Sequence, residues 1–193
     1  ETMRGAYQSC IQKRATVEKM ETWEKMVKNE SEGFLQVLIQ KYLKNKISYE
    51  KLEQVFQTVD DVIQPGDLFI TVCVDVDLEY KITNPLDYES SKFTLTQYLV
   101  SVIGKYFYHW NFESEDGYHV FVIKTDKNTT VLELKHILEE VKKEKISLIV
   151  ASMSKPYKGL KGIRRSYEEA RKLFEVASAA GSNAFAMPEE IRE

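Results

Sequence analysis

The sequence predicts an α+β domain, a ferredoxin-like and partly antiparallel sheet with helices on one face, preceded by a helical N-terminal extension. Three observations carry that prediction. The run LFITVCVDV at residues 68–76 is β-rich and nearly continuous in apolar residues, as a central strand should be. Two further strand patterns, residues 107–112 and 118–123, meet across Ser114-Glu115-Asp116-Gly117, and Asp-Gly between such runs signals a hairpin. Helical stripes alternate with these strands and give the order β-α-β-β-α-β-α, with residues 184–187 able to add a short edge strand.

Residues 2–44 are rich in Lys, Glu and Gln and contain no proline. Met20, Val27 and Phe34 recur every seven residues, Trp23 and Val37 supply the intervening seam, and Glu30 interrupts it. Two readings stay open: a helix paired with its twin in a homodimer, or an amphipathic helix packed on its own domain. The run FLQVLIQKYL is apolar over a wide arc and is expected to be buried. Ser48 caps a second helix carrying Leu52, Val55, Phe56 and Val59, and Gln64-Pro65-Gly66-Asp67 then punctuates the chain. The expected layout is a coiled-coil-like signalling helix (residues 1–44), a helical connector (45–66), the sheet domain (67–187) and a tail (188–193).

Within the sheet domain, Ser90 or Ser91 is expected to cap a helix burying Leu95, Leu99, Val102, Ile103 and Tyr106. Thr130 and Glu133 form a capping box ahead of Leu134, Ile137, Leu138 and Val141, and residues 146–151 make another strand. The last helix should bury Ile163, Tyr167, Ala170, Leu173, Phe174 and Ala177, and Gly181 ends it by turning left-handed.

Composition is that of a soluble globular protein, and a net charge of −3 over 193 residues offers no bulk attraction to nucleic acid. No apolar run approaches the roughly 18–20 residues that cross a bilayer, and no signal peptide opens the chain, so no membrane contact is expected. Cys10 and Cys73 form neither a disulfide framework nor a CxxC site, which favours a reducing, cytoplasmic setting. His109, His119 and His136 lack metal-motif spacing, so they are read as structural or solvent-facing and no cofactor is expected. The abrupt start and the charged end PEEIRE suggest a piece of a longer protein.

Two places offer chemistry. Asp75 and Asp77 end the first strand and Asp116 lies in the hairpin; neighbouring strands would bring these carboxylates to a divalent cation such as Mg²⁺. The other reading is that they are simply solvated. Lys155, Lys158, Lys161, Arg164 and Arg165, with two glycines ahead of a helix, would gather a phosphate or carboxylate, unless they too are only solvated. Glu168 and Glu169 with Arg171 and Lys172 read as a solvated face of ion pairs.

The segment DVDLEYK at residues 75–81 resembles the D-x-D-x-F-K segment of diguanylate cyclase (GGDEF) domains, which share a palm-like nucleotidyl-cyclase sheet. SEDGY at residues 114–118 falls where those enzymes carry Gly-Gly-Asp/Glu-Glu-Phe. Ser152, Ser154, Pro156, Gly159, Leu160, Arg165, Ser166, Tyr167, Glu169 and Ala170 are similar in order to GGDEF-like domains of AraC-type regulators. These include YesN-like response regulators and sugar-diacid and purine-catabolism regulators. The resemblance covers about residues 67–187.

Departures from the active enzymes are as informative. Ser114 and Glu115 replace the paired glycines that let a nucleotide approach the turn, and Gly117 stands at the second catalytic carboxylate. An extra residue precedes Lys81, and ITNPLDYESSKFTL replaces the expected Gly-His-x-x-Gly-Asp. The resemblance therefore implies no enzymatic activity, with Asp75, Asp77 and Asp116 as vestigial metal-site positions. It implies a signal-relay and dimerisation domain of a bacterial transcriptional regulator, placed after a receiver or sensor domain, with DNA contacted only by a separate helix-turn-helix domain. The runner-up is a sensor of a nucleotide or anionic metabolite, and an active nucleotidyl cyclase is a remote third.

Overall fold

The computed structural model describes residues 31–58, 63–64, 66–77, 85–125, 130–145, 148–181 and 184–189. Cys10, Met20, Trp23, Val27, Glu30, Val59 and Lys81 lie outside the described residues, as do the side chains of Asp77 and Val141. The chain divides into two compact units between residues 62 and 63.

The first unit contains α1 (Ser31–Leu43) and α2 (Tyr49–Thr58). The apolar arc of α1 is buried as expected, through Leu35, Leu38, Ile39, Tyr42 and Leu43, and α2 contributes Leu52 and Phe56. Val37, a seam position in the heptad reading, is 44% exposed. Asn45 closes α1 with a φ of 56°. The Lys46 N–H reaches Lys41 O at 2.8 Å and the Asn45 N–H reaches Tyr42 O, so the last carbonyls are satisfied by a Schellman turn. Ser48 caps α2 by accepting the Lys51 N–H.

In the second unit the described residues form one six-stranded sheet. Its strands are β1 (Leu68–Asp77), β2 (His109–Glu113), β3 (His119–Thr125), β4 (Leu148–Met153), β5 (Tyr157–Lys158) and β6 (Phe185–Ala186). The order is β2-β3-β1-β4-β6, and β5 pairs the start of β1. All pairings are antiparallel except β4 with β6. The helices are α3 (Pro85–Tyr106), α4 (Thr130–Lys145) and α5 (Gly159–Ala180).

Side chains alternate across β1 and divide the domain into two cores. Ile70, Val72 and Val74 join Leu95, Leu99 and Ile103 of α3 and Val131, Leu134 and Leu138 of α4. Thr71 and Cys73 point the other way, toward α5, where Thr71 Oγ1 meets Ser166 Oγ at 2.8 Å. Helices therefore cover both faces of the sheet, and the expectation of helices on one face is corrected. The reason lies in β1 itself: apolar residues of both parities leave no face that water could cover cheaply.

The start of α3 and the role of Thr130 at the start of α4 also differ from expectation. Helix α3 begins at Pro85 rather than beside Ser90 or Ser91. Proline's fixed φ suits a first helical turn, and Asp87 in that turn complements the positive end of the helix. At α4, the Thr130 hydroxyl bonds to Thr125 Oγ1, so it ties the helix to β3.

Helix α5 buries Ile163, Ala170, Phe174 and Ala177 on its face and adds small polar residues to that contact. The Ser166 hydroxyl donates to Ile163 O, which leaves its oxygen to accept from Thr71 Oγ1. Ser154 Oγ accepts the Thr71 N–H at 3.0 Å, Ser154 N–H donates to Thr71 O, and Ser152 Oγ donates to Ala170 O. Beside them a Cβ on Gly162 would lie 2.6 Å from the Tyr157 carbonyl oxygen, so glycine is required for contact of helix and strand backbones.

Gly162→Ala sets helix propensity against this crowding. Propensity favours alanine by about 1 kcal/mol, but a backbone carbonyl cannot swing aside, so a net loss of about 1–3 kcal/mol is expected in urea unfolding. Ser166→Ala should cost about 1–3 kcal/mol, because it strands the buried Thr71 hydroxyl, and Thr71→Val in the same background should recover part of it.

Candidate functional site

The carboxyl end of β1, the β2–β3 hairpin and the first half of α3 converge on one ammonium group. Lys92 Nζ donates to Gly117 O at 2.8 Å. The same nitrogen stands 3.9 Å from Asp75 Oδ1 and 4.0 Å from Glu113 Oε1, distances of ion pairing rather than hydrogen bonding. The Lys92 side chain is 23% exposed, so it lies largely within the site.

The hairpin is built to present that carbonyl. Ser114 N–H donates to Tyr118 O, Gly117 N–H to Ser114 O, and Tyr118 N–H to the Ser114 hydroxyl. Gly117 has a φ of 83°, and an added Cβ would meet only Lys92 Nζ at an ordinary 3.8 Å. Its glycine is thus required by conformation, not by crowding.

Between α3 and the strands lies a cavity of 240 Å³, lined by Glu89, Lys92, Phe93, Gln97, Glu113 and His119 among others. His119 Nε2 donates to Asn111 Oδ1 at 3.1 Å, and its ring packs on Phe121. Burial, then the positive fields of His109 and Lys92, push its pKa down to about 4.

Of the expected acidic trio, Asp75 is in the site and Asp116 is exposed at the hairpin turn, while the Asp77 side chain is outside the described residues. Glu113 and Lys92 were missed by sequence reasoning. Glu113 is the last residue of a strand, where an acidic side chain is usually only solvated; Lys92 sits seven positions into a helix whose start was misplaced. No cluster of three or more His, Cys, Asp or Glu able to hold a metal ion occurs among the described residues. The divalent ion that a GGDEF-like site implies does not fit these residues, because the Lys92 ammonium already lies between the two carboxylates and the turn carbonyl.

The five basic residues are distributed over three segments. Lys155 follows β4, Lys158 is on β5, and Lys161, Arg164 and Arg165 are on α5. Lys155 Nζ lies over the Tyr157 ring, and its backbone N–H donates to Glu169 Oε2 at 2.8 Å. Glu169 therefore holds the basic segment onto the helix, in addition to lying on what was read as a solvated face. Arg171 and Glu175 form an exposed i,i+4 pair on that helix.

On the α5 side, buried Cys73 and Tyr118 and half-buried Tyr167 form a polar group beneath the hairpin. Burial pushes the Cys73 thiol up to about 12, and burial likewise raises Tyr118 and Tyr167. All three stay protonated at neutral pH and offer no nucleophile. The Tyr118 ring packs on Phe174 with centroids 4.5 Å apart, which anchors the hairpin to α5.

His119 sets a pH dependence whose sign follows from its lowered pKa. Between its unfolded value near 6.5 and about 4, the unfolded chain binds a proton that the folded chain does not. Stability contributed by the neutral ring is complete above pH 6.5 and falls as the pH drops toward 4, by on the order of 2 kcal/mol. His119→Gln should flatten this part of the profile in urea melts at pH 7.5 and 4.5, whatever it does to absolute stability.

No protein-family model matches the chain, and no curated protein matches it. A solved structure of a microbial GGDEF domain, described in a novel interaction mode with bis-(3,5)-cyclic di-GMP, aligns at a TM-score of 0.51 and 15% identity. The alignment covers 72% of this chain and 92% of that one. At this identity the likeness speaks to architecture alone: the second unit has a GGDEF-like fold.

Proposed function

We propose that this chain is a non-catalytic signal-relay domain of GGDEF-like fold within a bacterial transcriptional regulator of the AraC type. The observation that carries the non-catalytic part is Lys92, whose ammonium lies between Asp75, Glu113 and Gly117 O. Ser114 and Glu115 stand where an active cyclase needs glycines, and Gly117 stands where it needs a carboxylate. The regulator context rests on the resemblance of the Ser152–Ala170 pattern quoted above. That pattern serves here to seat α5: Ser152, Ser154 and Ser166 bind β1 or the helix itself, and Glu169 binds the preceding segment.

In this reading the N-terminal helix sets the geometry of a homodimer, and the sheet domain passes that geometry on to a separate DNA-binding domain. No helix among the described residues is long and apolar enough to cross a membrane.

Incubation with GTP or ATP and Mg²⁺ or Mn²⁺, followed by chromatography, is expected to yield no cyclic nucleotide product above a protein-free blank. Product that disappears in Asp75→Ala would overturn the non-catalytic reading. Sedimentation equilibrium should show a concentration-dependent dimer; a strict monomer at high concentration would remove the relay mechanism.

The cavity beside Lys92 favours a second reading, a small-ligand sensor, because its lining mixes charged groups (Glu89, Lys92, Glu113) with apolar ones (Val74, Phe93) and the hairpin borders it. A thermal-shift screen with nucleotides, sugar phosphates and dicarboxylates separates the two, since only a sensor is stabilised by one of them at millimolar concentration.

A further inference from the structure

We infer that Lys92 is a built-in cation that does in this domain what a bound divalent ion would otherwise do: it draws the β2–β3 hairpin, the end of β1 and α3 together. The inference rests on the non-catalytic reading of this site, and it adds how the site is held without metal. Three oxygen-bearing groups, Asp75 of β1, Glu113 of β2 and the carbonyl of Gly117 in the β2–β3 turn, face a single Nζ. A carboxylate pair with a backbone carbonyl is the hard-oxygen donor set that Mg²⁺, Mn²⁺ or Ca²⁺ accepts. Here the positive charge is instead covalently attached to α3.

Two consequences follow from the chemistry. A tethered ammonium carries one charge and three directed donors, so it spends one hydrogen bond on Gly117 O and balances the carboxylates only through space. It also cannot dissociate, so the hairpin stays docked at any metal concentration. Loss of the lysine would therefore alter the hairpin and the cation preference of the site together, a combination that a merely solvated lysine would not produce.

The test compares the whole chain with Lys92→Met, which keeps the length and apolar stem of the side chain but removes its charge. Melting temperature and Mn²⁺-induced broadening of the Gly117 amide signal are read with and without millimolar Mn²⁺. The wild type should show neither a Mn²⁺ shift in melting nor broadening at Gly117. Lys92→Met should melt a few degrees lower, recover part of that loss with Mn²⁺, and show broadening at Gly117 that Asp75→Asn in the same background abolishes. If Lys92→Met does not fold, Lys92→Gln, which keeps a donor for Gly117 O, takes its place in the same comparison.

Broadening at Gly117 in the wild type overturns the inference, because the ammonium then does not exclude a metal. An uncharged variant that melts like the wild type, or that gives no Mn²⁺ response, overturns it equally. These outcomes are independent of nucleotide turnover: cyclase product would sink the non-catalytic reading through the chromatography above, whereas this comparison reads only what holds the hairpin.

Discussion

Strand β1 is hydrogen-bonded along both edges and covered on both faces, and the position of every other element in the second unit follows from one of those four sides. β3 pairs with it from Leu68 to Val74 on one edge, while β5 and β4 divide the other edge between them. This leaves its backbone groups satisfied without water, which a strand with Phe69, Ile70, Val72, Cys73 and Val74 all buried requires. The pairing with β3 stops at Val74 while the pairing with β4 continues to Asp77. That offset leaves the end of β1 open toward the hairpin and creates the place that Lys92 enters.

The two faces are bound by different physics. Aliphatic side chains fill the α3–α4 side, where non-directional burial does most of the work and individual positions tolerate volume-conserving change. The α5 side is closer and more directional. The Thr71 hydroxyl bonds that of Ser166, the Thr71 N–H donates to the Ser154 hydroxyl, and Gly162 allows backbone contact with Tyr157. Such a contact fixes the register of helix on strand, because each buried donor left without its acceptor costs more than the bond itself is worth. The serines that make the last third of the sequence distinctive are therefore explained by packing. They need no ligand to account for them.

The opposite end of the sheet is governed by charge. Two carboxylates brought near one another at strand ends repel unless a cation is supplied, and the position of α3 supplies one from within. Exposed ion pairs of this length contribute little each, and the charge-assisted bond to the Gly117 carbonyl contributes more. The same arrangement keeps His119 neutral and leaves a cavity of mixed lining under α3. The Gly117 turn and the internal cation together make a site that holds its own hairpin.

Much of the architecture was determined by local pattern. The apolar run of β1, the Asp-Gly turn, the stripes of α4 and α5 and that of α3 apart from exposed Tyr106, the Ser48 cap and the stop at Gly181 all depend on residues close in sequence, where periodicity and turn chemistry act directly. The side of the sheet taken by α5 did not depend on local pattern, because an amphipathic stripe says that one face is buried and not which face of a sheet it meets. The start of α3 was hidden for a related reason: its buried stripe begins at Leu95, nearly three turns after Pro85. Asp75 was legible as a site residue from its place at a strand end. Lys92 and Glu113 were not, since an isolated lysine and a strand-terminal glutamate are ordinary surface residues until tertiary structure brings them 4.0 Å apart. The sequence by itself determined that acidic groups would gather at this end of the sheet; only the folded chain decided that their counter-ion would be one of its own side chains.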